Sequence, residues 1–171
     1  SNYWATGMAK IRTFVAIDLS SETRQAAGKL IGRLQKSGVD LRWVEPTSLH
    51  LTLNFLGDVE DIEVGEVCRE IGNSVSEFGP FELSCIGVGA FPSVERPRVV
   101  WLGIDRGREE LCELQAALEA RLPQLGFPGE PRRYQPHVTL GRIRRDATGS
   151  SPAAEKLAPY QDLNCGRTVV D

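Results

Sequence analysis

The sequence carries one order of strand-like and helix-like segments twice, and the two copies are offset by 87 positions throughout. At this offset the apolar run from Phe14 to Asp18 aligns with the run from Trp101 to Asp105. The motifs His50 to Leu53 (HLTL) and His137 to Leu140 (HVTL) align at the same offset, and they contain both histidines of the chain. The register holds without a gap, which favours a structural duplication over two unrelated units that share a spacing by coincidence.

Each copy predicts a strand, a helix and a second strand. Apolar residues at helical spacing follow the first strand of each copy and predict helices over Ser20 to Lys36 and over Gly107 to Leu122. Ser20 is a suitable N-cap, and Glu22 is an acid placed in the first turn. The half repeats are therefore predicted at about 11–57 and 98–144, related by pseudo-twofold symmetry within one domain over 8–171.

Shorter segments fit around this skeleton. Helix spacing predicts a helix over Asp61 to Val75 with Ile62, Val67 and Ile71 turned inward. The remaining predictions are a short strand at Leu41 to Val44, a hairpin of Phe81 to Ala90 with Arg98 to Ile104, a short helix at Ser150 to Leu157 and a last strand at Leu163 to Val170.

The repeated His-x-Thr word suggests acid–base chemistry on a phosphodiester. On a strand, residues two apart point to the same face, so His50 projects with Thr52 and His137 with Thr139. A neutral imidazole removes a proton from water, and a protonated one gives a proton to a departing alkoxide. Threonine hydroxyls are donors suited to non-bridging phosphoryl oxygens. Two facing pairs therefore predict a hydrolase for an activated phosphodiester, such as a strained cyclic phosphate.

Composition bounds the other classes of function. The 171 residues are 41% hydrophobic and carry a net charge of −3, which argues against binding nucleic acid mainly through a large basic surface. The four cysteines are widely spaced and form no C-x-x-C pair, so they are predicted to be buried thiols of a cytoplasmic protein. No apolar run reaches the length of a membrane span, and Ser1 to Gly7 resemble a cloning remnant before Met8.

Two other catalytic schemes fit the sequence less well. Two histidines without a cysteine cluster or an H-E-x-x-H helix leave a metal ion short of ligands. A serine nucleophile would lack its G-x-S-x-G turn and would leave the duplicated threonines unexplained. We therefore expect no metal and no cofactor.

Three runs together resemble one superfamily. They are Arg12 to Leu19 (RTFVAIDL), Leu49 to Gly57 (LHLTLNFLG) and Pro136 to Arg142 (PHVTLGR). They look like the 2H phosphoesterases and, within these, most like the RNA 2′,3′-cyclic phosphodiesterases, historically also called 2′-5′ RNA ligases. The resemblance covers nearly everything from Met8 onward.

The resemblance implies a fold, an activity and a set of roles. The fold would be a bilobal α+β domain in which two mainly antiparallel sheets line a central cleft, with the helices outside. The activity would open a terminal 2′,3′-cyclic phosphate of RNA to a 2′-phosphate without a metal. His50 would be the proton donor to the leaving 3′-oxygen and His137 the proton acceptor from water, and the reverse assignment stays open. Thr52 and Thr139 would hold the phosphoryl oxygens. Relatives usually continue beyond the position of Asp171 with a further strand.

Residues near the motifs are candidates for substrate binding. By strict alternation Asn54 shares the face of His50, whereas the matching position in the second copy is Gly141, and this asymmetry would make room for substrate or would simply mark a strand end and a bulge. Arg133 and Arg142 belong to an arginine-rich, acid-free stretch that forms either a phosphate-attracting edge or a solvated rim.

Parity alone turns Arg142 away from His137, so its role depends on a bulge near Gly141. Aromatic residues near the motifs would stack a base or belong to the core: Phe14, Trp43, Phe55 and Tyr134.

Two alternative functions stay open from the sequence. The same site could run in the opposite direction and join a cyclic phosphate end to a 5′-hydroxyl in a 2′-5′ linkage, without ATP. A non-catalytic module that clamps a nucleotide or an RNA end is the other alternative. The expected partners are RNA ends or cyclic-phosphate nucleotides, with no membrane, and the expected state is a monomer.

Overall fold

The chain folds into antiparallel strands with helices packed on one side. The structure, a computed structural model, describes residues 9–149 and 151–171, so the predicted remnant Ser1 to Gly7 and the predicted helix start at Ser150 lie outside it. The described strands are β1 Lys10–Asp18, β2 Arg42–Trp43, β3 His50–Glu60, β4 Phe81–Pro92, β5 Pro97–Ile104, β6 His137–Arg142 and β7 Asn164–Val170. The described helices are α1 Ser21–Lys36, α2 Asp61–Val75, α3 Arg108–Arg121 and α4 Ala154–Leu157.

The offset of 87 positions recurs at the start of three pairs of elements. β1 and β5 begin at residues 10 and 97, α1 and α3 at 21 and 108, and β3 and β6 at 50 and 137. The predicted α+β architecture of duplicated strand–helix–strand units is confirmed.

The strand order is β1-β3-β6-β5-β4-β7, and all neighbours in it are antiparallel. The short β2 pairs with the edge of β6 that also pairs with β3, but nearer the end of β6, at Gly141 and Arg142. In the described chain β3 and β6 pair at one position, Leu51 with Val138, whereas β1 and β3 pair along the whole of β1. The strands of the two halves therefore join at the motif strands and form one seven-stranded sheet.

The core lies on the helix side of this sheet. Leu51 and Val138 are fully buried. The apolar stripes of the two helices are buried in the same core: Ala27, Leu30, Ile31 and Leu34 of α1, and Leu111, Leu114 and Leu118 of α3. The cap of α1 forms as predicted, since the Ser20 Oγ accepts a hydrogen bond from the Thr23 amide at 3.2 Å. Burying Leu51 and Val138 on this side turns the alternate residues of both motifs to the opposite face. No helix in the described ranges is long and apolar enough to cross a membrane.

One inward-facing prediction for α2 is wrong. Val67 is buried and Ile71 is partly buried against the core, but Ile62 is 73% exposed. At 100° per residue Ile62 lies about 140° around the helix from Val67, so the two cannot share one stripe. Val64 occupies the inward position instead and packs with Val67.

Candidate active site

The two motifs meet at the centre of the sheet with their polar residues on one face. Because Leu51 pairs antiparallel with Val138, His50 lies across from Thr139, and Thr52 lies across from His137. Each histidine is thus next to the threonine of the other half. All four side chains line one cavity with a volume of about 850 Å³.

Both histidines are oriented by the same backbone contact. The Nδ1 of His50 lies 2.8 Å from the carbonyl oxygen of Ser48, and the Nδ1 of His137 lies 2.6 Å from that of Gln135. A carbonyl oxygen only accepts, so each Nδ1 carries the proton and donates it. Each Nε2 therefore remains for proton transfer in the cavity, as a base when the ring is neutral and as an acid when it is charged.

The two rings differ in their aromatic neighbours. Phe14, on β1, stacks on His50 with ring centroids 4.9 Å apart and planes 26° apart. Phe91, on β4, meets His137 edge-on at 5.1 Å. Phe91 is not the symmetry mate of Phe14, because the offset position is Trp101, which packs behind Phe91 at 5.3 Å. The histidines therefore share a backbone setting but have different walls.

Arginines give the cavity a positive rim. Four of them line it together with the carboxylates of Glu119 and Glu130: Arg12, Arg132, Arg133 and Arg142. Burial lowers the pKa of His137, and the charge of Arg142 lowers it further, against the opposing effect of the bond to Gln135. His137 is thus held neutral at neutral pH, which is the protonation state of a general base.

A bulge lies at the last residue of each motif. In the first half Thr52 pairs with Ala16 but Asn54 pairs with Val15, which leaves Leu53 as the extra residue. In the second half Thr139 pairs with Trp101 but Gly141 pairs with Val100, which leaves Leu140 extra, 87 positions after Leu53. The register beyond each motif therefore moves by one residue, and the facing residues change with it.

Beyond each bulge, the next residue on the face of the histidine is three positions after the threonine instead of two. Phe55 and Arg142, which are also 87 positions apart, are both exposed and line the cavity. The bulge required for Arg142 is present. The strict alternation that placed Asn54 beside His50 stops at Thr52, and Asn54 is only 3% exposed although it borders the cavity.

The side chain of Asn54 is engaged by the protein. Its Nδ2 donates to Glu119 Oε2 at 2.7 Å, and the other oxygen of Glu119 accepts from the amide of Glu130. Glu119, on α3, thereby fastens the loop 126–136 to β3. At the matching position, a Cβ on Gly141 would lie 2.8 Å from the ring of Trp43. Gly141 therefore makes room for Trp43 rather than for substrate, and Trp43 does not belong to the cavity wall.

Tyr134 joins the two motifs. Its hydroxyl donates to the carbonyl oxygen of Thr52 at 2.8 Å, one residue before the carbonyl of Gln135 that orients His137. Burial raises the pKa of Tyr134, which keeps the hydroxyl protonated and able to donate. The loop that leads into the second motif is thus held on the strand of the first.

All of the site residues predicted from the sequence border this one cavity: His50, Thr52, His137, Thr139, Phe14, Asn54, Arg133, Tyr134 and Arg142. Sequence reasoning missed Arg12, Phe91 and Glu119. Phe91 and Glu119 reach the site from β4 and α3, and no local pattern marks them. Arg12 could have been found, because it lies two residues before Phe14 on the same strand.

A duplicated antiparallel fold with paired histidines and threonines around one positive cavity defines a phosphoesterase. The family model described as LigT-like phosphoesterase matches the chain twice in succession, over residues 17–101 and 102–162. The chain belongs to this family.

Curated and solved relatives agree with this assignment. The chain is 32% identical over 157 residues to the RNA 2′,3′-cyclic phosphodiesterase of Methanothermobacter thermautotrophicus, covering 92% of this chain and 84% of that protein. It resembles a crystal structure of a Thermus thermophilus protein with a TM-score of 0.71 at 26% identity, covering 94% of this chain and 88% of the other. It also resembles Escherichia coli LigT complexed with 3′-AMP with a TM-score of 0.65 at 27% identity, covering 94% and 84%.

Proposed function

We propose that this protein hydrolyses RNA 2′,3′-cyclic phosphate ends to 2′-phosphates. The observation that carries the proposal is the antiparallel pairing of Leu51 with Val138, which brings two His-Thr pairs to one face of the sheet around one cavity. Curated relatives with 29–37% identity that bear the name RNA 2′,3′-cyclic phosphodiesterase support the substrate class.

Each histidine carries out one of the two proton transfers of the reaction. The Nε2 of His137 takes a proton from water as the water oxygen attacks phosphorus. The bond between phosphorus and the 3′-oxygen breaks, and the Nε2–H of His50 gives its proton to that oxygen. The product carries a 2′-phosphate and a 3′-hydroxyl. The low pKa of His137 favours this division, because the base must be neutral before the reaction begins.

The threonines stabilise the negative charge on the non-bridging oxygens of the phosphoryl group. Each hydroxyl lies on the same strand face as one histidine and across from the other, so Thr52 and Thr139 flank a phosphoryl group placed between the two rings. Donors fixed at such positions stabilise the non-bridging oxygens, most strongly where they carry the largest charge.

Other cavity residues take supporting roles. Arg142 and Arg133 attract the phosphate and the strand attached to it, and Phe14 offers an exposed ring beside His50 for the terminal base. Tyr134 and Asn54 are better suited to positioning than to substrate recognition, because the Tyr134 hydroxyl and the Asn54 amide already bond to protein groups.

The reaction needs no metal and no cofactor in this scheme. Both proton transfers are assigned to side chains, and the arginines of the cavity supply the positive charge that a metal would otherwise bring. No group of three His, Cys, Asp or Glu residues suited to a metal ion is found in the ranges 9–149 and 151–171. The assay below therefore uses enzyme dialysed against a chelator.

The decisive assay identifies the product formed from a dinucleotide that ends in a 2′,3′-cyclic phosphate. Phosphorus NMR and chromatography are expected to show the linear 2′-phosphate, with full turnover after dialysis. A 3′-phosphate, or turnover restored only by added Zn²⁺, Mn²⁺ or Mg²⁺, would contradict the mechanism. A 2′-5′ ligated product in the presence of a 5′-hydroxyl strand would favour the ligase reaction, and binding without turnover would favour a non-catalytic clamp.

We further propose that the protein is cytoplasmic, while the monomeric state stays a prediction from the sequence. The four cysteines lie in the described chain as free thiols, as expected in a reducing compartment. The prediction of buried thiols is confirmed for Cys85 and Cys165 and is wrong for Cys68, which is exposed, while Cys112 is half-buried. Burial raises the pKa of Cys85 to about 12, so this thiol stays protonated and unreactive.

A further inference from the structure

The two equivalent bulges place different side chains at the two ends of the cavity. They turn Phe55 to the cavity in the first half and Arg142 to the cavity at the equivalent position of the second half. One end of the cleft thus carries an aromatic ring where the other carries a cation. Since single-stranded nucleic acid offers flat bases and charged phosphates, the aromatic end is suited to bases.

A row of three rings and a guanidinium group extends from His50 along the wall of the cavity. Phe14 stacks on His50, and Phe55 follows at 5.9 Å from Phe14 with the ring planes 48° apart. The guanidinium carbon of Arg12 then lies 5.9 Å from the centroid of the Phe55 ring. All four groups line the cavity.

The two phenyl rings are open to solvent. Phe14 is 41% and Phe55 is 56% exposed, in a protein whose other leucines and phenylalanines are mostly buried or half-buried. Both rings border the cavity, so a ligand bound there can cover their exposed apolar surface. Arg12 beside the ring favours a ligand with both an aromatic face and a negative charge over an apolar protein partner.

The geometry of the rings excludes one base stacked on both. Because their planes are tilted by 48°, one flat base cannot stack on both Phe14 and Phe55. Phe14 is adjacent to His50 and so lies nearest the reacting phosphate, whereas Phe55 lies one ring farther out. A second base, one nucleotide along the strand, is therefore suited to Phe55.

We propose that Phe55 and Arg12 form a subsite for the nucleotide that precedes the terminal cyclic phosphate. Phe55 stacks the base of that nucleotide, and Arg12 neutralises the phosphodiester that joins it to the terminal one. This inference rests on the proposed function, since it takes the cavity to be an RNA-end site. Its consequence is a preference for oligonucleotide ends over free cyclic mononucleotides.

The test measures affinity rather than turnover. The ligands are a dinucleotide with a terminal 2′-phosphate and the same dinucleotide without the base of its first nucleotide, and calorimetry gives a Kd for each. We expect the wild-type protein to prefer the intact dinucleotide by about tenfold, which is the usual scale of one stacked base. Phe55→Leu keeps an apolar side chain without an aromatic face, and this preference is expected to fall to about twofold or less. Phe55→Trp should retain it.

An exposed apolar residue outside the cavity provides the matched control. Ile62→Ala removes another exposed apolar side chain, on α2 and outside the cavity wall, and should keep the wild-type preference. Equal affinity of the wild-type protein for both ligands would overturn the subsite, and so would a full preference in Phe55→Leu. Failure of the cyclic-phosphate assay on the same preparation would count against the proposed function alone, because the two Kd values do not depend on turnover.

Discussion

Leu51 and Val138, residues at equivalent positions of the two halves, pair directly with each other across β3 and β6. The pseudo-twofold axis therefore passes between them, and the polar neighbours of both are related by the same axis. Each histidine has an equivalent backbone acceptor two residues before it and faces the threonine of the other half. The local symmetry explains why the His-x-Thr motif appears twice. The different aromatic neighbours of the two imidazole rings, and Arg142 near His137, allow the two histidines to differ in function.

Removal of either histidine should abolish most turnover without unfolding the protein. His50→Ala and His137→Ala are each expected to lower kcat by about 10² or more, because each removes one proton transfer. Both side chains are only half-buried and belong to the cavity wall, so the melting temperature should change little. Near-wild-type turnover in either variant would contradict the mechanism.

Loss of either threonine hydroxyl should weaken phosphate binding. Thr52→Val and Thr139→Val keep the shape of the side chain but remove a donor to a charged oxygen, which costs about 1.5–3 kcal/mol of binding free energy. Titration with a nucleoside 2′-phosphate measures the effect. Thr47→Val, at a threonine outside this cavity, is the matched control. An unchanged Kd in both motif variants would exclude a phosphate-holding role.

The charge of Arg142 should contribute to the position of the acidic limb of the pH–rate profile. His137 as the base must be neutral, so kcat/KM falls as the pH drops through its pKa, which burial and Arg142 hold below the usual 6.5. Arg142→Gln removes one of the lowering effects, so the pKa rises and the acidic limb moves to higher pH. Arg145→Gln, an exposed arginine outside the cavity wall, should leave the limb in place. An NMR titration of His137 would detect the same shift in pKa, and an equal pKa in Arg142→Gln and wild type would refute it.

The hydroxyl of Tyr134 should contribute to kcat through positioning. Tyr134→Phe removes the bond to the Thr52 carbonyl and should lower the free energy of unfolding by about 0.5–1.5 kcal/mol. Because the loop that orients His137 loosens, kcat should fall more than KM rises. Tyr160→Phe, at a half-buried tyrosine outside the cavity, controls for the loss of a hydroxyl. A change in KM alone would indicate a direct contact with substrate instead.

Much of the fold follows from local patterns in the sequence. The offset of 87 positions and the apolar stripes of α1 and α3 sufficed for the duplicated units, and Ser20 marked the start of α1. Ile62 was misplaced because a hydrophobic residue near a helix start does not by itself belong to the buried stripe, and only its angle from Val67 shows this.

The site was predictable where it depends on the motifs and not where it depends on tertiary contacts. Alternation gave the His-Thr pairs, but it failed for Asn54 because the bulge at Leu53 is not visible from residue types. Glu119 enters through a helix contact that pairs it with Asn54, and Phe91 enters through a hairpin. Such contacts arise from packing between distant segments, which a single sequence does not encode as a local pattern.

The division of labour between the two histidines is tested most directly by changing the leaving group. A good leaving group departs without a proton, so it removes the need for the acid but not for the base. Rates of His50→Ala and His137→Ala are compared for a 2′,3′-cyclic phosphate and for an aryl phosphodiester such as bis-p-nitrophenyl phosphate, each relative to wild type. We expect the aryl ester to restore the relative rate of His50→Ala much more than that of His137→Ala. An equal response of the two variants would contradict the assignment, and a larger rescue of His137→Ala would reverse it.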